Sequence, residues 1–246
     1  MWFIQPKKNY VPEMLWERIN EPEVMSWQVR VRDYNTFVAN ILLFVISLLS
    51  GGVWFSFAYS FLEMSEIMSM VCVGMFFLMT PVFMSMTHQT SIIVYRLTDK
   101  GYEKISWKPQ IDSVKPVMKW TAIISGVAVL VATFFNPNFL YGMVGPAGFG
   151  LLALTMGNSG SYQSLVRGER HENRSWDAVE EIVLWKKRRL VGVKMSFDDG
   201  YGPHSSYQKI YCEKGCVEKV LDFIKSKAPD VDFLERKLIV NEISAQ

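Results

Sequence analysis

The chain has 246 residues, 50% of them hydrophobic and 20% charged, with a formal net charge of +2. Three cysteines cannot build a disulfide framework, and so small a charge excess offers no broad positive field to nucleic acid. Those totals would suit a soluble enzyme, but the segregation of residues along the chain points elsewhere.

Residues 1–35 read as a cytoplasmic N-terminal lead-in. Pro12 can open a short helix with Met14, Leu15, Trp16 and Ile19 on its apolar side, and Pro22 interrupts it. Trp27 to Tyr34 then approaches the membrane, as a helix lying at the interface or packed on a cytoplasmic domain. The lead-in is polar and mixed in charge, unlike a cleavable signal, so the first apolar run is expected to act as an uncleaved anchor.

Residues 36–91 form the first expected transmembrane hairpin, with spans from Phe37 to Phe61 and Ile67 to Met86. Each approaches the ~20 apolar residues that cross a hydrocarbon core. Leu62 to Glu66 joins them, and its only charges are Glu63 and Glu66. Residues 92–115 change period. Ile92 to Thr98 and Tyr102 to Trp107 alternate around Asp99-Lys100-Gly101, which predicts a cytoplasmic β-hairpin that needs a partner sheet. A second hairpin is expected at 116–156, with spans Pro116 to Phe135 and Phe139 to Met156 joined by the uncharged Asn136-Pro137-Asn138.

Residues 157–246 return to the cytoplasm. Ala178 to Trp185 contains Val179, Ile182, Val183 and Leu184, and Lys186, Lys187, Arg188 and Arg189 follow it. Leu190 to Phe197 and Tyr207 to Cys212 predict strands around turns at Asp198-Asp199-Gly200 and Gly202-Pro203. Val217, Val220, Leu221 and Ile224 stripe a closing helix, and Pro229 lies just beyond it.

Lys and Arg are distributed as 5 before the first span, 6 between the second and third (counting Lys119 at the third's inner edge), and 15 after the fourth. The two short connections hold none. The positive-inside rule therefore places both termini and the central segment in the cytoplasm.

Tyr95-Arg96-Leu97-Thr98-Asp99-Lys100-Gly101 resembles the opening strand and turn, Tyr-x-Leu-Thr-Asp/Asn-x-Gly, of bacterial pleckstrin-homology-like membrane proteins. Trp176 to Ile182, the Val191–Phe197 strand and a helix from Cys216 to Lys227 extend the resemblance over 92–107 and 170–228. It implies one small β domain assembled from both sides of the 116–156 insertion. Such domains serve binding and assembly, so it also implies a non-enzyme.

Candidate chemistry is sparse. Met68, Cys72, Met75, Met79 and Met86 share one helical face, where thioether and thiol could carry Cu(I), although methionine also fills gaps in helix packing. His204, Cys212 and Cys216 supply three zinc-type ligands where a structural site uses four. His88 sits at the inner end of the second span and His171 in a charged linker. No catalytic triad order or phosphate loop is present. The run Lys186-Lys187-Arg188-Arg189 is the candidate lipid- or partner-binding site, although residues 157–246 balance 15 basic against 14 acidic side chains.

The expectation is an α+β membrane protein: four transmembrane helices in two hairpins and a split cytoplasmic pleckstrin-homology-like β domain with a C-terminal helix. Its role would be a scaffold or accessory protein of the bacterial inner membrane, without catalytic residues, metal or cofactor. Its expected partners are membrane lipids and a protein of an inner-membrane assembly, with self-association and without nucleic acid. The alternative is a small oligomeric channel or transporter, including a soft-metal path along span two.

Overall fold

The computed structural model describes residues 15–63, 66–109, 158–198, 203–238 and 243–244, together with isolated helical positions between 116 and 155. In chain order the elements are β1 (Glu23–Val31), α1 (Thr36–Phe61), α2 (Glu66–Thr87), β2 (Ser91–Thr98) and β3 (Gly101–Trp107). They continue with α3 (Gly160–Arg167), β4 (Arg170–Ser175), β5 (Val179–Trp185), β6 (Leu190–Asp198) and β7 (Pro203–Tyr211). α4 (Val217–Lys227), β8 (Asp232–Glu235) and β9 (Ile243–Ser244) complete the order. They fall into two compact units, Met1–Arg30 with Ser91–Trp176, and Val31–Thr90 with Asp177–Gln246.

The first unit is a four-stranded sheet in the order β1-β2-β3-β4. β2 and β3 pair antiparallel from Ile92↔Trp107 to Leu97↔Tyr102, and β3 pairs antiparallel with β4. Trp16 packs with Ile92, Val94, Ile105 and Trp107. Burying side chains of this size stabilises by about 1.5–3 kcal/mol each. At the turn, the Gly101 N–H donates to Thr98 Oγ1 at 3.2 Å, and Trp176 Nε1 donates to the Thr98 carbonyl at 3.0 Å. A Cβ on Gly101 would lie 2.1 Å from the Arg174 carbonyl oxygen, so only glycine lets β4 approach here.

The second unit combines a helical hairpin with a five-stranded sheet in the order β8-β5-β6-β7-β9. β6 is antiparallel to β5 and β7, whereas β8 is parallel to β5. The chain therefore crosses from β7 through α4 before pairing β8 with β5. α4 buries Val220, Leu221 and Ile224. In the hairpin α2 runs back along α1, with the Phe55 and Phe76 rings 5.6 Å apart and His88 Nε2 2.9 Å from Asn40 Oδ1.

Three expectations are corrected. Four transmembrane helices are not supported: among the described residues α1 is the one helix long and apolar enough to cross a membrane. A multi-pass arrangement goes with them. Apolar length does not separate a span from a packed helix, and α2 carries buried Ser69 and Cys72 beside exposed Met70 and Phe77. The third and fourth expected spans lie mostly outside the described residues.

The single split β domain is likewise replaced by two separate sheets. The β2–β3 pair takes its neighbours from β1, before the helical hairpin, and from β4, not from the long strands β5 to β7.

Nor does the lead-in approach α1 as a helix. Glu17 to Asn20 form a turn, and β1 covers Trp27 to Val31, where Trp27, Val29 and Val31 alternate with Gln28 and Arg30. That period of two belongs to a strand.

Candidate functional site

The four consecutive cations close the tight connection between β5 and β6. Lys186–Arg188 form a single 3-10 turn, and Arg189 follows at φ 51°, a left-handed conformation uncommon outside glycine. The Cys212 N–H donates to the Arg189 carbonyl at 2.9 Å, which fixes that residue against the end of β7.

The geometry separates the four side chains. Arg188 lies over the Trp185 ring at 5.4 Å and the Tyr211 ring at 6.0 Å, and donates to the Arg32 carbonyl at 2.6 Å. Planar guanidinium suits this combined stacking and donation. Lys186 Nζ reaches Glu235 Oε2 at 2.9 Å, an exposed pair of the kind worth about 0–1 kcal/mol. Lys187 and Arg189 are exposed.

Arg188 thereby ties the turn to the segment that enters α1. Beside it, Asp33 Oδ1 accepts from Lys209 Nζ at 2.7 Å and from the Tyr211 hydroxyl at 3.0 Å. Burial raises the Tyr211 phenol above its ordinary range, with the Asp33 charge adding to the effect, so the hydroxyl stays a donor. Burial also raises Tyr34, against the opposing fields of Arg32 and Arg188. Asn35 caps α1 by accepting from the Phe37 N–H at 3.0 Å.

The sequence reading singled out the basic run but missed its setting. Arg32, Asp33, Trp185, Lys209 and Tyr211 come from three separate stretches, and only folding of the second unit gathers them at the head of α1. The available signal was Arg32 standing so close before the apolar run that begins at Phe37.

A second cluster, in the first unit, was not foreseen. The Glu103 side chain is fully buried on β3. It accepts from the Glu17 and Arg18 backbone N–H groups at 2.9 and 2.5 Å, lies 3.2 Å from His171 Nε2, and sits 3.9 Å from Arg96 Nη1. Arg96 also donates to the Arg18 and Glu21 carbonyls, each at 2.7 Å. Arg18 Nε donates to Asn173 Oδ1 at 2.6 Å, and Asn173 Nδ2 to Glu17 Oε2 at 2.7 Å. Glu21 Oε2 accepts from the Thr98 hydroxyl at 2.6 Å, which holds the Glu21 carboxyl below its usual range. These bonds strap the 17–21 turn onto the sheet. Alternation could have found the cluster, because Arg96 and Glu103 occupy the same face as Ile92, Val94, Ile105 and Trp107.

The remaining candidates are dispersed. Of the methionine stripe, Cys72 is buried and Met79 half-buried, while the side chains of Met68, Met75 and Met86 lie outside the described set. Burial pushes the Cys212 thiol up to about 12, with Cys216 adding to the shift, so at neutral pH it is not a thiolate ligand. Cys216 is half-buried before α4, His204 lies on β7, and His171 belongs to the Glu103 cluster. No group of three or more metal-type ligands occurs among the described residues. No protein family, curated protein or solved structure matches this chain.

Proposed function

We propose that this protein is a membrane-anchored accessory protein, held in a bilayer by α1, that presents its β units to a protein partner without covalent chemistry. The polarity of α1 carries this reading. Its 26 residues contain no charge and span about 39 Å at 1.5 Å per residue, more than the ~30 Å hydrocarbon core. Large apolar side chains along it, among them Phe44, Leu48 and Leu49, are exposed, a surface that water does not favour. Cations gather before its first turn, and Glu63 and Glu66 lie beyond its last.

Two further observations support the reading. The hydroxyl of Ser60 on α1 donates to the Ser56 carbonyl one turn back at 3.0 Å, which satisfies it without water. Of the buried charges of the first unit, Arg96 and Glu103 are committed to holding the 17–21 turn and Lys104 to Glu172. The cation-rich end would face the cytoplasm.

Alkaline extraction of membranes from cells expressing the full chain tests the anchor. The protein is expected to stay in the membrane fraction, and a Leu48→Lys/Leu49→Lys variant to be released. Release of the unaltered chain would overturn the reading. Crosslinking in the same membranes then tests the accessory role, which requires a heterologous protein adduct lost in the variant.

A further inference from the structure

We infer that the β5–β6 turn and the segment leading into α1 form a docking face for the anionic headgroups of the bilayer that holds α1. This rests on the anchored reading and adds the chemistry of the surface. The groups gathered there are Arg32, Lys186, Lys187, Arg188, Arg189 and Lys209, against the carboxylates of Asp33 and Glu235. The excess of cations has no counterpart within this cluster, and a phosphate-rich surface supplies one.

Position makes the bilayer the fitting source of that charge. Arg188 is bonded to the Arg32 carbonyl, and the exposed apolar surface of α1 begins at Phe37. Those five residues span at most about 18 Å even when extended. The turn is thus confined near the depth where α1 enters the headgroup layer. Trp185, whose half-buried ring lies 5.4 Å from the Arg188 guanidinium, has the amphipathic ring that favours this layer. Exposed Lys186, Lys187 and Arg189 can meet separate phosphates, since each cation near an anionic surface is attracted independently of any shaped pocket. The balanced charge of residues 157–246 does not oppose this, because attraction at a surface decays within a Debye length and depends on local charge.

The test uses the full chain in nanodiscs, which expose both bilayer faces, made of phosphatidylcholine alone or mixed with phosphatidylglycerol. Trypsin cleavage within 186–189 is followed by mass spectrometry, with cleavage after Lys237 as the internal reference. Phosphatidylglycerol is expected to slow cleavage of the turn several-fold relative to the reference, and added salt to restore it. A Lys186→Gln/Lys187→Gln variant, read at Arg189, should lose most of that protection.

Equal cleavage in both nanodiscs by a chain incorporated into both overturns the headgroup inference and leaves the anchor standing. Failure to enter either nanodisc overturns both. Protection in phosphatidylcholine discs on adding inorganic phosphate would identify a phosphate site rather than a bilayer-docking face, and overturn the inference.

Discussion

Arg96 and Glu103 are direct cross-strand partners on β2 and β3, their side chains almost completely shielded from water and 3.9 Å apart. Neither relies on the other alone. Glu103 accepts two backbone N–H groups from the 17–21 turn, and Arg96 donates to two carbonyls of the same turn. The pair therefore acts as a socket for a piece of chain that buries little apolar surface beyond Trp16, since Leu15 and Ile19 are exposed.

Removing the carboxylate while leaving the cation should expose this dependence. Glu103→Ala leaves Arg96 with Glu23 at 3.7 Å as its carboxylate partner and removes the acceptor for two backbone donors, a change that costs about 1–3 kcal/mol for each donor left unsatisfied. Chemical denaturation should show that loss, with a smaller one for Glu103→Gln. Hydrogen exchange should quicken first at the Glu17 and Arg18 amides.

The same strap predicts a dependence on acid. The Thr98 hydrogen bond lowers the Glu21 pKa in the folded state, so its contribution is present above the unfolded value and is lost as pH falls through the depressed folded value. Denaturation midpoints followed downward from about pH 5 should fall more steeply for the unaltered chain than for Glu21→Gln. Equal slopes would refute the assignment to Glu21.

Gly101 should tolerate no side chain. A Cβ placed 2.1 Å from the Arg174 carbonyl must push β4 away from β3. Gly101→Ala is expected to destabilise by about 1–3 kcal/mol, the usual cost of forced overpacking, measured by thermal unfolding. A neutral result would mean that the two strands can separate freely there.

Cys212 should be chemically quiet in the folded protein. With its thiol raised to about 12, alkylation at pH 8 should proceed only after denaturation. Because the folded pKa lies above the unfolded one, this group's contribution is whole below about pH 8.5 and declines as pH rises toward 12. Cys212→Ala should flatten that alkaline decline.

Much of the strand content was legible. Ile92 to Trp107 alternates around a glycine turn and forms β2 and β3, and the stripe of Val220, Leu221 and Ile224 marks the buried face of α4. β4 was not legible. Arg170 to Ser175 is wholly polar, and becomes a strand because β3 offers it an edge and Lys104 pairs with Glu172 at 2.9 Å. The lead-in carries conflicting signals: two prolines and a few apolar residues suggest a short helix, whereas the alternation from Trp27 to Val31 belongs to the strand that forms.

The candidate site divides the same way. Lys186 to Arg189 stand out in sequence as one basic run, yet the turn sends Arg188 to Arg32, pairs Lys186 with Glu235, and leaves Lys187 and Arg189 exposed. Adjacent residues in a tight turn point in different directions, so contiguity in sequence did not reveal which of the four are committed to protein partners and which stay exposed.

By itself the sequence determined the local elements whose residues repeat with a recognisable period, and the uncharged run that becomes α1. Composition and spacing are enough for these because they depend on neighbours a few residues away. Only the tertiary structure decided that the strands form two sheets instead of one, that Arg96 and Glu103 hold the 17–21 turn, and that the basic turn sits at the head of α1. Each of those depends on which edge, carbonyl or charge lies across a gap of tens of residues, and local periodicity carries no information about that choice.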